Sequence, residues 1–66
     1  MKSVIQASTG IFLFVCNMPD YELGEDQDFV ESIPSDELGD IVFDEHSGLD
    51  VRVFNVKWDG KNWIKL

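Results

Sequence analysis

The segment LDVRVFNVKWDGKNWIKL, residues 49–66, predicts a β-hairpin. β-branched and aromatic residues, which favour strands, lie on both sides of Asp59-Gly60. Asp-Gly between two apolar segments is the strongest short-range hairpin signal, because both central residues of a type I′ turn need a positive φ. A two-residue turn at this point would place Val56 opposite Trp63.

The apolar side chains of this segment change face near Val53-Phe54. Leu49 and Val51 share one side of the strand with Val53, whereas Phe54 and Val56 share the other. A flat strand with one buried side cannot switch in this way. We therefore expect either a β-bulge or a bend from one packing layer into another, as in small curled sheets, with Val53 and Phe54 both substantially buried.

Residues 2–17 predict a second hairpin. Two apolar segments, 3–7 and 11–16, are separated by the small residues 8–10. The second segment reads IFLFVC and does not alternate, so we expect a central strand that is buried on both faces. At six residues it is too short for the apolar core of a signal peptide or for a membrane span.

The middle of the chain is rich in turn residues and acids. Residues 28–33 fit either a strand or one helical turn. Ser35 precedes two acids, which suits the N-cap and the positive dipole end of a short helix that Gly39 would stop. Residues 40–43 then begin the meander that continues into the C-terminal hairpin.

These segments predict a single domain over residues 1–66. Its class is α+β or all-β, with a small, curled antiparallel sheet of about five strands and at most one short helix. The chain is 44% hydrophobic and contains five Phe and two Trp, which is too apolar for a disordered tail. Cys16 is the only cysteine, so no intrachain disulfide can form, and a reducing, cytoplasmic location is expected.

Charge is the feature that bears most on function. Thirteen acids against five bases give a net charge of −8, which argues against nucleic acid and anionic membranes as direct partners. Residues 20–50, here called the acid-only segment, hold twelve of the acids and no Lys or Arg. Four of the five bases follow from residue 52 onward, so the charge is also polarised along the chain. Carboxylates on a rigid sheet could take phosphate-like positions, or they could simply keep a small domain soluble.

Catalytic and metal chemistry lack the residues that they need. His46, the only histidine, falls in a predicted turn, and Cys16 lies in the most apolar segment, so a Cys-His nucleophile pair is not expected. If a calcium loop is counted from Asp20, Glu31 stands at the twelfth position, but Glu25 occupies the sixth, where an EF-hand needs glycine. We therefore expect no enzymatic activity, no metal site and no cofactor.

In kind, the sequence resembles the small acidic proteins that bacteriophages and mobile elements encode against host defence, including DNA-mimic inhibitors of restriction enzymes and anti-CRISPR proteins. The resemblance rests on the short length, the acid-only segment and a compact β end with DGKNW at 59–63. It implies a stoichiometric inhibitor, in the host bacterial cytoplasm, of a basic nucleic-acid-binding protein or nuclease complex.

The charge distribution supplies the candidate partner-binding residues. They are ten acids of the acid-only segment, expected to lie outside the core: Glu22, Glu25, Asp26, Asp28, Glu31, Asp36, Glu37, Asp40, Asp44 and Glu45.

Two other functions are compatible with the same charges. One is an immunity protein or antitoxin that plugs a toxic nuclease. The other is a small structural or adaptor module whose acids only solubilise it. Competition between DNA and the protein for a common partner separates the groove-binding functions from the structural one.

Overall fold

The computed structural model describes all 66 residues as seven short antiparallel strands and one turn of 3-10 helix. The elements are β1 (Lys2–Gln6), β2 (Phe12–Cys16), β3 (Gln27–Val30), the 3-10 turn (Asp36–Leu38), β4 (Asp40–Asp44), β5 (Leu49–Val53), β6 (Val56–Trp58) and β7 (Trp63–Lys65). They form a three-stranded sheet in the order β2-β1-β3 and two separate hairpins, β4-β5 and β6-β7. The predicted class is confirmed, with seven shorter strands in place of about five. The structure contains no helix with the length and apolar character that a membrane crossing requires.

The central strand of the larger sheet is β1, so the prediction of a central, doubly buried strand at 11–16 is wrong. β2 lies at the edge of the sheet, and Leu13 and Val15 are 42% and 38% exposed. On β1 the neighbouring residues Ser3 and Val4, which point to opposite faces, are both fully buried. β2 pairs with one edge of β1, and β3, which follows it in sequence, pairs with the other edge. Local sequence patterns do not predict this strand order.

Tyr21, in the loop between β2 and β3, covers one face of this sheet. Its ring packs edge-on against Phe14, with ring centroids 5.6 Å apart, and against Phe29 at 6.2 Å. Its hydroxyl donates a hydrogen bond to Oε1 of Gln27 at 2.8 Å. Edge-to-face contacts of this kind add to the stability that burial alone provides.

The β6-β7 hairpin covers the opposite face. Phe12 packs edge-on against Phe54 and Trp63, with centroids 5.6 and 5.7 Å apart. The indole Nε1–H of Trp63 donates to Oγ of Ser32 at 3.1 Å, which ties β7 to the segment after β3. Val56, at the start of β6, is fully buried.

Gly10 joins the sheet to the β6-β7 hairpin. Its carbonyl oxygen accepts a hydrogen bond from the backbone N–H of Trp58 at 2.8 Å, and the next residue, Ile11, forms an antiparallel bridge with Lys57. Gly10 has a φ of +79°, and a Cβ at this position would lie 2.5 Å from the Trp58 carbonyl oxygen. Both the backbone conformation and the close approach therefore require glycine.

The predicted change of face at Val53-Phe54 is a break between two hairpins. β5 ends at Val53, and β6 begins at Val56 with a different partner strand, so the segment forms two strands and not the single bulged or bent strand that was predicted. Val53 and Phe54 are both half-buried. A β-bulge is present in the pairing of β1 with β2, where Leu13 of β2 is the extra residue.

The register of the β6-β7 hairpin differs by two residues from the prediction. Val56 lies opposite Lys65 and not opposite Trp63. The carboxylate of Asp59 accepts hydrogen bonds from two backbone N–H groups within the turn, at 2.8 and 2.6 Å. These bonds stabilise a four-residue turn over 59–62, wider than the Asp-Gly pair alone would make.

The short helix predicted after Ser35 is a single 3-10 turn. The backbone N–H groups of Leu38 and Gly39 donate to the carbonyl oxygens of Ser35 and Asp36, each at 3.0 Å. The Ser35 side chain makes no capping hydrogen bond, so the turn is held without a side-chain cap. It ends at Gly39, as expected.

The β4-β5 hairpin packs less against the rest of the chain than any other part. Val42 lies opposite Val51 within it, and no other strand pairs with either of its edges. Phe43 and Leu49, on opposite faces, are 63% and 65% exposed. An isolated two-stranded hairpin is marginally stable at best, and the rest of the chain supports this one through partial burial of Val51 and Val53 and two exposed ion pairs, with no strand at either edge.

Candidate acidic interaction surface

All ten candidate acids lie at the surface. Asp40 and Asp44 are half-buried, and the other eight are exposed. Only these two and Asp28 lie on strands, whereas the rest occupy loops, turns or the 3-10 turn. Strand geometry therefore sets the spacing of few of these carboxylates.

The side chain of Asp26 has a structural role. Its φ is 55°, a left-handed conformation that Asp tolerates better than most residues. Its carboxylate accepts hydrogen bonds from the backbone N–H of Ser8 at 2.8 Å and from the Ser8 hydroxyl at 2.6 Å. Because Ser8 is 18 residues away in sequence, no local pattern indicated this role. Asp26 thus fastens the β1-β2 turn to the start of β3, while the residue itself remains exposed, and its part in partner binding stays a prediction.

Two further acids form the ion pairs of the molecule. The Asp36 carboxylate lies 3.3 Å from an Arg52 guanidinium nitrogen, and Asp40 lies 2.9 Å from Nζ of Lys65. The hydrogen bond from Lys65 and its positive charge lower the pKa of Asp40. The basic end of the chain therefore folds back on the second half of the acid-only segment, and the polarity seen along the sequence is partly cancelled in space.

Asp44 holds the turn of the β4-β5 hairpin. Its carboxylate accepts a hydrogen bond from the backbone N–H of His46 at 3.1 Å. Hydrogen bonds from the Ser47 side chain and from the His46 backbone lower the pKa of Asp44. His46 is an exposed turn residue, as predicted. Its neighbour Glu45 is exposed and forms no ion pair.

The uncompensated acids concentrate around β3. Residues 20–31 contain six acids, and none of them forms an ion pair. β3 is an edge strand, so its outer row of backbone N–H and C=O groups faces no other strand, although the N–H of Phe29 donates a hydrogen bond to Oδ1 of Asp28 at 2.8 Å. We define the acidic edge as β3 together with the four exposed acids that flank or lie on it: Glu22, Glu25, Asp28 and Glu31.

One base shares the sheet with the acidic edge. The Nζ of Lys2, on β1, lies over the ring of Phe29 at 4.2 Å from its centroid, a cation-π contact. No carboxylate pairs with it. The acidic edge therefore offers carboxylate oxygens that accept hydrogen bonds from Lys and Arg side chains, and backbone groups of β3 that can pair with an extended basic segment.

The one cleft of the structure is open and small, with a volume of about 240 Å³. Lys2, Cys16 and Glu31 are among the residues that line it. Cys16 is only 5% exposed, and its thiol lies 3.7 Å from the carbonyl oxygen of Met18. His46 is not among the lining residues, and no group of three or more His, Cys, Asp or Glu is arranged to hold a metal ion.

Sequence reasoning missed the apolar surface of the β4-β5 hairpin. It placed Leu49, Val51 and Val53 on one apolar face, and the structure leaves Leu49 largely in solvent and the two valines half-buried. The alternation of these residues with Asp50 and Arg52 is typical of a strand whose apolar face is buried, so no local signal indicated the exposure of Leu49.

Comparison of the chain with models of known protein families, with curated proteins and with solved structures finds no match. The chemistry of the surface is therefore the basis on which a function can be proposed.

Proposed function

We propose that the protein is a stoichiometric acidic inhibitor that occupies the basic nucleic-acid groove of another protein. The observation that carries this proposal is the run of six acids at residues 20–31, all without an ion-pair partner, around the open edge of β3. Such a surface attracts Lys and Arg side chains that otherwise hold phosphates, and its field speeds the encounter. No catalytic step is part of the proposal.

The size of the charge limits what kind of groove the protein can fill. Duplex DNA carries one negative charge per about 1.7 Å of axis, so a net charge of −8 corresponds to about four base pairs. The molecule itself measures 31 × 26 × 19 Å. We therefore propose competition at a short, strongly basic contact site and not replacement of a long duplex.

The biological setting follows from the resemblance to phage-encoded inhibitors of host defence. Restriction enzymes and CRISPR nuclease complexes are the partners to test first, because both hold nucleic acid in basic grooves. A reducing, cytoplasmic setting suits a chain whose one cysteine has no possible partner.

The experiment begins with capture of a partner from bacterial lysate on the immobilised protein. The purified partner is then bound to a fluorescent oligonucleotide, and the protein is titrated into the complex. We expect full displacement of the oligonucleotide, with an affinity that falls as salt is raised. A ternary complex of partner, oligonucleotide and protein at full occupancy would refute groove occupation.

Charge-reversal variants test whether the acidic edge is the binding surface. Three exposed acids of the edge without hydrogen bonds of their own, Glu22, Glu25 and Glu31, are changed together to Lys. The matched control reverses three exposed acids outside residues 20–31, Glu37, Glu45 and Asp50, with the same change of net charge. We expect the edge triple to weaken binding about 100-fold or more and the control triple to weaken it far less. Equal losses would assign the effect to overall charge and not to this edge.

A further inference from the structure

The outer edge of β5 has no strand beside it, although the hairpin that carries it is too small to be stable by itself. Apart from its pairing with β4, β5 makes no backbone–backbone hydrogen bond, and the backbone N–H of Leu49 donates to the Ser47 hydroxyl at 3.3 Å. Its strand neighbour is β4 alone, and Leu49 at its start is 65% exposed. An open edge of this kind is a template for another strand.

We propose that this edge pairs with the same edge of a second copy of the chain, antiparallel and about a two-fold axis through Val51. The sequence of β5 is Leu-Asp-Val-Arg-Val. An antiparallel pairing centred on its middle residue places Asp50 opposite Arg52 of the second copy, and Arg52 opposite Asp50. Leu49 then lies opposite Val53 of the second copy. The edge is therefore complementary to itself in both charge and apolarity, as a two-fold interface requires.

The other edges of the molecule lack this property. The same operation on β4 would place Asp40 opposite Asp44 of the second copy, two like charges. β2 carries no charge, but it is bulged at Leu13 and its start is bridged to Lys57 of β6, two features that block edge pairing. On β3, Asp28 would face Phe29, and on β7, whose outer edge is also open, Trp63 would face Lys65, which leaves neither edge with opposite charges paired. Self-complementarity thus singles out β5.

Arg52 is already placed for this contact. Its guanidinium lies 3.3 Å from Asp36, and the side chains of the pair are 41% and 82% exposed, so it remains accessible to a second carboxylate. A Cβ built at Gly39 would lie 2.4 Å from the aliphatic stem of Arg52, which shows how closely the backbone confines that stem. A second copy would therefore meet a side chain with reduced freedom to move.

The dimer has to form against the repulsion of two chains of net charge −8. The decisive measurement is the sedimentation of the wild-type protein at physiological salt, from about 1 μM to about 1 mM. We expect the mass to rise from that of one chain toward that of two. A mass that stays at one chain throughout would overturn the proposal and leave this edge to a strand of some other protein.

Charge variants at the seam, the proposed contact between β5 of the two copies, test the register of that pairing. Asp50→Arg places Arg opposite Arg52 of the second copy, and Arg52→Asp places Asp opposite Asp50. Each clash occurs twice by symmetry, so we expect each single variant to raise the dissociation constant about tenfold or more. The double variant Asp50→Arg/Arg52→Asp restores complementarity at unchanged net charge and should recover most of the wild-type affinity, the remaining loss reflecting the missing Arg52–Asp36 ion pair.

Net charge gives the matched control. Asp50→Arg lowers the overall repulsion and yet should weaken the dimer, whereas Glu22→Arg lowers the repulsion equally, away from the seam, and should leave the dimer unchanged or strengthen it. Circular dichroism of each variant establishes that it is folded. Dimerisation of Asp50→Arg as strong as that of Glu22→Arg would overturn the β5 register.

Cross-linking tests the two-fold axis independently of stability. In the variant Val51→Cys the two introduced thiols lie opposite each other, and a short bis-maleimide should join them. The control Glu22→Cys, far from the axis in sequence and on another element, should not cross-link. Equal yields from the two variants would contradict the proposed axis.

Discussion

At the scale of single residues, the acids of this protein divide into those that hold the fold and those that only carry charge. Asp26 fastens Ser8, Asp44 holds its own turn, and Asp59 binds two backbone N–H groups of the β6-β7 turn. The acids of the acidic edge have no ion-pair partner. Charge reversal therefore tests partner binding only at acids without a structural role, because reversal at the others also destabilises the fold.

Asp26→Lys should destabilise the protein. The substitution removes both hydrogen bonds to Ser8 and places a longer side chain at a φ of 55°, so we expect a loss of about 1–2 kcal/mol in the free energy of unfolding. Urea denaturation followed by circular dichroism measures it. Glu25→Lys, the adjacent change of equal charge, should stay within about 0.5 kcal/mol of the wild type. Equal losses in both variants would show that charge and not hydrogen bonding is responsible.

Asp59 should contribute to a loss of stability in acid. Hydrogen bonds from the backbone N–H groups of Asn62 and Lys61 lower the pKa of the Asp59 carboxyl. A carboxyl with a lowered pKa in the folded state stabilises the protein above its unfolded pKa, and this stability is lost as the pH falls through the folded value, below about pH 4.

The variant Asp59→Asn isolates this effect, because its side-chain oxygen still accepts both hydrogen bonds but does not titrate. Thermal melts between pH 7 and pH 3 should show a smaller loss for Asp59→Asn than for the wild type. Parallel curves for the two proteins would mean that the turn contributes nothing to the pH dependence.

At the scale of secondary-structure elements, the packing of the β6-β7 hairpin against the first sheet depends on the close backbone contact between Gly10 and Trp58. Gly10→Ala should destabilise by about 3 kcal/mol or more, because the new Cβ meets the Trp58 carbonyl at 2.5 Å and the φ is positive. Gly48 has a similar φ of +73° but open space around it, so Gly48→Ala should cost only about 1–2 kcal/mol. Urea midpoints compare the two, and a Gly48→Ala loss as large as that of Gly10→Ala would show that the close contact is unimportant.

Turn chemistry explains which elements could be predicted from sequence. The hairpins around residues 8–10, 44–48 and 59–62 follow from Gly, Asp and Ser between apolar segments, and all three are present. The position of β2 at the edge was not predictable, because an apolar run indicates burial but not which neighbour supplies it. Among the candidate acids, exposure was predicted correctly, whereas the roles of Asp26 and Asp36 depend on residues distant in sequence.

At the scale of the whole molecule, a small core is combined with a high net charge. Five apolar residues are buried, and domains of this size rarely gain more than about 3–5 kcal/mol from their core. The two ion pairs are exposed and contribute little. Repulsion among the unpaired acids is therefore large enough to lower the free energy of unfolding noticeably.

Moderate salt should stabilise the free protein. Ions screen like charges over a Debye length of about 8–10 Å, which is shorter than the 31 Å length of the molecule. The urea midpoint should rise between about 10 mM and 150 mM sodium chloride, measured at a dilution where the chain is monomeric. A falling midpoint would show that the two ion pairs outweigh the repulsion.

The contact of Phe12 with Trp63 has a consequence for the order of events during synthesis. The two rings lie 5.7 Å apart, although nearly the whole chain separates them in sequence. One face of the first sheet therefore stays uncovered on the ribosome until residue 63 has been made. Folding must then close a long loop around a sheet whose apolar edge is open, and we expect this late closure to make folding slow. We also expect the nascent chain to aggregate when translation stalls before the β6-β7 hairpin has been made.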